Sequence, residues 1–265
     1  GDFINYSAYL FKKKKNNKIS YKKIVSEGNS VIARMYRYIT LLLGMKPNEH
    51  EYKVMGLAPY CKSKYSQKLF DHFKSFQTVN GKKFKDLKPP KDYYFYFKNL
   101  FNGYRFDAIA GALQRYTEFL LTRWINNLVN AKETKNLCLA GGVAMNVKAN
   151  LEISKLNKIS QIYVPPSPDD SSQSMGACYA YCLINNLSTK PLVNAYLGYE
   201  IDDVKAAIAI KKLPLSKYKI YKKDITKFTT KLLLKDKIIG ICRGRAEFGA
   251  RSLGNRSIIC SPKNL

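Results

Sequence analysis

Between Arg243 and Arg256 the chain reads RGRAEFGARSLGNR, four arginines and one glutamate spaced by Gly244, Gly249 and Gly254. Lysine is the commoner cation elsewhere in the chain, so the choice of arginine carries information. A guanidinium presents a planar fork of N–H donors that matches an oxyanion two bonds at a time, which an ammonium cannot do. The run predicts a phosphate or carboxylate site built on Arg245, Arg251 and Arg256. Asn255 and Ser257 add neutral donors, and Glu247 is expected to neutralise and orient one guanidinium.

Three other segments hold chemistry-bearing residues. LAGGVAMN, 139–146, places two glycines where an apolar strand hands over to a helix. Gly141 and Gly142 can take backbone angles and close approaches that a Cβ forbids. A helix opening there turns its N–H groups toward an anion, and Asn146, one turn in, could bond a ribose or phosphate. Close strand–helix packing explains the same glycines. In PPSPDDSSQSMGA, 165–177, Asp169 and Asp170 precede a helix. Either can cap it, or Asp170 can reach the same cleft to hold a cation. NEHEYKVMGLAPY, 48–60, sets Glu51 and Lys53 along a stretch expected to be extended, facing one side before a tight turn. They read as a structural pair or as the lining of a cleft, and His50 as a surface side chain.

The elements that must position these segments alternate. Residues 3–25 read as a hairpin around a lysine–asparagine loop, and 30–45 as an amphipathic helix ending near Gly44. The aromatic stretch from Phe70 to Asn99 is irregular and is expected to run over the surface. Residues 106–131 form a long helical pattern. Two strand–loop–helix units follow, on NLCLA and QIYVP. Past a boundary near 190–196 come a helix at 202–210, a strand at 218–222, a helix at 225–235 and a strand at 237–244. Such alternation argues for α/β architecture in both parts.

The 265 residues carry a net charge of +27. A polyanion partner is one explanation. Lysine scattered throughout with Asn, Ile and Tyr favours compositional bias instead, and no RNA-recognition module is evident. No run approaches the roughly 18 apolar residues of a membrane helix. The six cysteines form no CxxC pair, which suits a reducing, cytoplasmic setting. Cys138 and Cys242 read as small buried hydrophobes, and Cys178 and Cys182 as packed on one helix face. Two histidines argue against a zinc site of His and Cys.

Taken in order, HEYKVMGLAPY, LAGGVAMNVKAN, PPSPDDSSQSMGA and GRAEFGARSLGNRSI resemble the O-carbamoyltransferases of the nodulation and antibiotic-tailoring type. The resemblance covers nearly the whole chain, and its last motif is the most specific. It implies that 1–192 is the second lobe of an actin- and sugar-kinase-like ATPase fold, followed at 196–265 by the start of a YrdC-like α/β domain. It further implies that carbamoyl phosphate is converted to carbamate, that ATP adenylates the carbamate, and that the carbamoyl group passes to a hydroxyl of a small molecule or saccharide. Gly141, Gly142 and Asn146 match the nucleotide turn. Asp170 matches the ligand of a divalent metal, iron in the family, although Asp169 and Ser172 replace the glycines beside it. Arg245, Arg251, Asn255, Arg256 and Ser257 match the carbamoyl-phosphate run, with Ala250 in place of a usual proline. Glu51 and Lys53 match a motif of unassigned role and are the catalytic candidates.

The opening Gly1–Asp2 resembles the tail of a family strand whose first aspartate and upstream histidine pair precede the chain. The chain stops where a YrdC-like domain should continue, so a fragment unable to complete the cycle alone is expected. Acceptor contacts are expected from loops, including the aromatic stretch Tyr93–Phe101. The acceptor and the oligomeric state, a homo-oligomer included, stay open. A tRNA threonylcarbamoylation enzyme and a non-catalytic nucleotide- or anion-binding module are the alternatives.

Overall fold

The computed structural model describes residues 3–13, 19–129, 133–221 and 224–263. The opening Gly1–Asp2 and the lysine–asparagine loop at 14–18 lie outside them. The chain divides into two compact units, one ending at Ser188 and the other beginning at Thr189. Both mix helices with two-stranded sheets.

In the first unit, β1 (Tyr6–Lys13) and β2 (Ile19–Glu27) form the expected antiparallel hairpin, with a bulge at Ala8/Tyr9. Helix α1 (Ile32–Leu42) buries Ile32, Met35, Tyr36 and Ile39, the spacing of one helical face. It stops at Gly44, whose φ of +75° suits a glycine. The Gly44 N–H bonds to the Leu41 carbonyl and the Met45 N–H to the Thr40 carbonyl, closing off the last turn.

Helix α2 (Glu51–Leu57) and a 3-10 turn (Ala58–Tyr60) occupy the stretch expected to be extended. Helical geometry separates Glu51 from Lys53 by about 200° around the axis, so the two do not share a side. Glu51 turns back to accept the Asn48 N–H at 2.6 Å, a bond that favours starting a helix there.

The stretch expected to cross the surface is the centre of the core instead. Helix α3 (Ser63–Lys74) leads to the hairpin β3 (Gln77–Asn80) and β4 (Lys83–Asp86), then to α4 (Tyr93–Leu100). Tyr93, Phe97 and Phe101 recur every fourth residue and are buried, with Phe73 and Phe76 against them. The Phe97 and Phe101 rings stack with centroids 5.1 Å apart. These rings cannot serve an acceptor, because they already fill the interior. Helix α5 (Phe106–Leu128) runs through this core, burying Ile109, Leu113, Tyr116 and Leu120 against α3 and α2 on its length.

The two strand–loop–helix units follow as expected. Strand β5 (Asn136–Cys138) lies parallel to β6 (Gln161–Tyr163), with α6 (Val147–Ser154) and α7 (Gln173–Ile184) after them. Cys138 is exposed rather than buried, because a two-stranded sheet has too little area to be covered on both faces. The same holds for α7. Among the described residues none of α7 is fully buried: Met175 and Cys182 are partly covered and Cys178 is exposed, so the two thiols do not share a packed face.

The second unit carries α8 (Asp203–Lys211), α9 (Ile225–Leu233) and the antiparallel pair β7 (Ile239–Cys242) and β8 (Arg256–Ile259). Cys242 is again exposed. The strand expected at 218–222 is not formed over 218–221. No strand is paired with it among the described residues, and Tyr221 instead stacks on Phe228 at 4.4 Å between centroids. None of the helices among the described residues is long and apolar enough to cross a membrane.

Candidate functional site

Because β5 and β6 run parallel, their carboxyl ends emerge side by side, the place where open α/β sheets collect ligands. The Leu139 N–H continues the ladder to the Tyr163 carbonyl. Two residues past the ladder the Gly141 N–H reaches the Pro168 carbonyl at 2.6 Å, tying the glycine turn to the aspartate loop. Gly141 sits at φ +98°, a conformation that side-chain-bearing residues rarely adopt. A Cβ built on Gly141 or Gly142 would meet nothing within 4 Å, and both residues are exposed. Close strand–helix packing therefore does not explain this pair. The glycines leave an open approach to the backbone beside the aspartate loop.

Helix α6 does not begin at the glycines. A 3-10 turn, Gly142–Met145, intervenes, and Asn146 is the N-cap of α6 rather than a residue one turn inside it. Its side chain faces inward. Asn146 Oδ1 accepts the Ala149 N–H and a Gln114 Nε2–H, each at 3.0 Å. Asn146 Nδ2 donates to Gln114 Oε1 at 2.9 Å and to the Tyr36 hydroxyl at 3.0 Å. An amide has two donors and two lone pairs, so protein groups take up the whole side chain, and no part of it remains for a ribose or phosphate. Burial raises the Tyr36 pKa far above the ordinary tyrosine value, so the hydroxyl stays protonated and can donate.

The two aspartates divide their work. Asp169 Oδ1 accepts from Ser167 Oγ at 2.7 Å and from the Ser171 N–H at 3.1 Å, and caps the short turn that leads into α7. The Ser167 bond, ahead of the backbone bond, holds its carboxyl below the usual aspartate range. Asp170 is exposed, with the Gln173 amide 3.1 Å from Oδ1. It can supply one oxygen to a cation, and a magnesium-like ion beside a nucleotide completes its shell with waters and phosphate oxygens. Among the described residues no three His, Cys, Asp or Glu side chains come together. The described residues thus offer a cation one carboxylate and no closed cage of protein ligands. Lys53 is exposed, its ammonium 5.8 Å from the centre of the Tyr52 ring.

The arginine run lies wholly in the second unit, and most of its polar groups hold the run itself. Among the described residues Glu247 forms no salt bridge with a guanidinium, and the charge of Arg256 acts on it only as the smallest influence after its backbone bonds. Glu247 Oε1 accepts the N–H groups of Leu253 at 2.6 Å and Asn255 at 2.8 Å, and its Oε2 accepts that of Arg256 at 3.0 Å. These backbone bonds, the one from Asn255 foremost, hold its carboxyl below the usual glutamate range. Gly249 and Gly254, at φ +127° and +100°, reverse the chain so that those amides face the carboxylate. Arg256 uses its fork on carbonyls: Nη1 donates to Arg243 at 2.6 Å, and Nη2 to Gly244 at 3.1 Å. Asn255 Nδ2 donates to the Arg245 carbonyl at 3.0 Å, and Ser257 Oγ accepts the Gly254 N–H at 2.8 Å. Arg245 is exposed, with Nε 3.3 Å from the Gly198 carbonyl. Arg251 is half-buried.

Gln114 and Tyr36 were not among the expected site residues. The available signal was a lone glutamine in the apolar phase of α5, in AIAGALQRY, where only a bonded amide belongs.

Two family models match the chain in order: Carbamoyltransferase N-terminus over residues 1–179 and Carbamoyltransferase C-terminus over residues 230–265. An uncharacterised protein of Methanocaldococcus jannaschii is 31% identical over 275 residues, covering 99% of this chain and 51% of the relative. Nodulation protein NolO of Bradyrhizobium diazoefficiens is 27% identical, covering 80% of this chain and 40% of its own length. Nodulation protein U of Rhizobium fredii is 30% identical over 129 residues, 48% of this chain and 20% of its own. The chain thus spans about half or less of the length of these relatives.

Proposed function

The chain belongs to the carbamoyltransferase family, and from that premise we propose that it is part of an enzyme carbamoylating a hydroxyl of a small molecule or saccharide. The reading assigns the first unit to the second lobe of an actin- and sugar-kinase-like ATPase domain, and the second unit to the start of a YrdC-like domain. The observation that carries it is the parallel pair β5–β6, which sets the open Gly141–Gly142 backbone beside the Asp170 loop through the Gly141–Pro168 bond.

The proposed sequence of bonds is simple. Water cleaves carbamoyl phosphate into carbamate and phosphate. A carbamate oxygen then attacks the α-phosphorus of ATP and expels pyrophosphate. Finally the acceptor oxygen attacks the carbamoyl carbon, expels AMP and loses its proton. The last two steps leave charge on phosphate oxygens, where fixed N–H groups lower the barrier. In this reading the Gly141–Gly142 turn offers its backbone to the nucleotide. Arg245 and Arg251 meet the phosphate of carbamoyl phosphate, while Asn255, Arg256 and Ser257 keep their loop in shape. Asp170 would give one oxygen to a divalent cation. Glu51 and Lys53 are assigned no step, since α2 turns them apart.

Calorimetry of the chain with ATP, and separately with carbamoyl phosphate, tests the reading. Saturable binding of both is expected, with Arg245→Ala weakening only carbamoyl phosphate and Gly142→Val only ATP. If the wild-type chain takes up neither, the reading fails.

A further inference from the structure

We propose that Gln114 is a positioning residue for the nucleotide turn, acting through Asn146 and held in place by Tyr36. The proposal rests on the nucleotide reading of Gly141–Gly142 given above. Gln114 and Asn146 face each other as a complementary amide pair, each donating to the other's oxygen at 2.9–3.0 Å. Gln114 Oε1 also accepts the Tyr36 hydroxyl at 2.7 Å, and Gln114 Nε2 also donates to Glu118 at 2.8 Å. Gln114, Asn146 and Tyr36 are 4%, 7% and 8% exposed, so none of them can exchange these partners for water at low cost.

The polarity of the pair is set by the backbone. Asn146 Oδ1 must accept the Ala149 N–H to start α6, which leaves Asn146 Nδ2 as a donor that needs acceptors. Only a side chain carrying both an acceptor and a donor can face it, and in α5 that is Gln114. The consequence reaches the glycines. The Asn146 N–H closes the 3-10 turn on the Val143 carbonyl, and the Ala144 N–H closes it on the Gly141 carbonyl. Asn150 Nδ2 adds a bond to the Ala144 carbonyl at 2.7 Å. Fixing Asn146 therefore fixes the turn that follows Gly141. The core helices α1 and α5 together set the backbone that the nucleotide would meet, although neither Tyr36 nor Gln114 touches it.

The test uses the full chain with Gln114→Met, which keeps the volume and removes both functions of the amide, and Tyr36→Phe, which removes one hydroxyl. ATP affinity is read by calorimetry and amide hydrogen exchange by mass spectrometry. Gln114→Met is expected to weaken ATP about tenfold, the scale of one or two buried hydrogen bonds. Tyr36→Phe is expected to weaken it by a smaller factor. Exchange should quicken at 142–149 while the β1–β2 hairpin keeps its protection. A purely structural role would change protection throughout the unit and leave the affinity of the folded chain alone. If the wild type binds ATP and a folded Gln114→Met or Tyr36→Phe binds it equally well, the positioning role is overturned and the nucleotide reading stands. If the wild type binds no ATP, the nucleotide reading falls and this inference with it. Should Gln114→Met fail to fold, Tyr36→Phe decides alone.

Discussion

The two units are held together by different physics. The first has a large aromatic and aliphatic core, in which Phe73, Phe97, Leu113 and Tyr116 are fully buried. Among the described residues of the second, only Ala195 and Ser257 are buried. Its shape at the arginine run comes from one carboxylate on three amides and one guanidinium on four carbonyls, those of Tyr199, Arg243, Gly244 and Asn255. Apolar burial is non-directional and tolerates repacking, whereas a carboxylate collecting three N–H groups depends on each angle. Neutralising exposed charged side chains should therefore matter little on the first unit's core helices, whereas neutralising 247 or 256 should matter a great deal. Truncation of rings should do the reverse.

The largest expected effect tests the core. Phe73→Ala should destabilise the first unit by about 3–5 kcal/mol, the usual range for a buried phenylalanine. Removing Phe228 from the exposed α9 should shift the denaturation midpoint far less. Equal losses at the two positions would break the contrast.

Glu247→Gln comes next. A neutral amide keeps one acceptor oxygen and replaces the other with donors that face donors. Exchange at 253–256 should quicken while the first unit's protection is unchanged. An unaltered exchange pattern would show that something else braces the run.

Asn146→Ala should cost the first unit about 1 kcal/mol through the lost cap, and more to the extent that it orphans Gln114 in the interior. A chemical denaturation curve reads the sum, which should exceed that of Asn150→Ala.

The smallest effects are in pH dependence. Burial holds the His72 pKa below its ordinary 6.5. The unfolded chain then binds that proton first, so the first unit is favoured above this value and weakens as pH falls through the histidine range. Glu247, held below its ordinary 4.5 by backbone bonds, acts lower. Its bracing is complete above that value and is lost as pH falls through the depressed folded pKa. His72→Phe should flatten the first unit's stability over the histidine range and leave the exchange of 253–256 as it was.

The legible parts of the molecule were those with a single clear period. α1 and α5 show 3-4 spacing over many residues, and the parallel pair β5–β6 follows from two strand–loop–helix repeats. The aromatic stretch was not legible because its rings serve three short elements with different periods. The Asn80–Gly81 pair, a strong hairpin signal, was the one cue that β3 and β4 lay inside it. Glu51 and Lys53 alternate in the sequence, yet a carboxylate able to bond the Asn48 N–H favours a helix start over a strand. At Glu247 the residue types told that a charge needed a partner and not which one. Three backbone amides competed with four arginines, and the backbone reversal at Gly249 and Gly254 decided the outcome.

That reversal has a thermodynamic consequence. Glu247 and Arg256 already wind the segment into one shape, so an anion arriving at Arg245 would not have to freeze loose chain first. Its association should then show a small entropic cost of ordering and a heat-capacity change close to zero. An induced-fit loop of the same composition would show a large one.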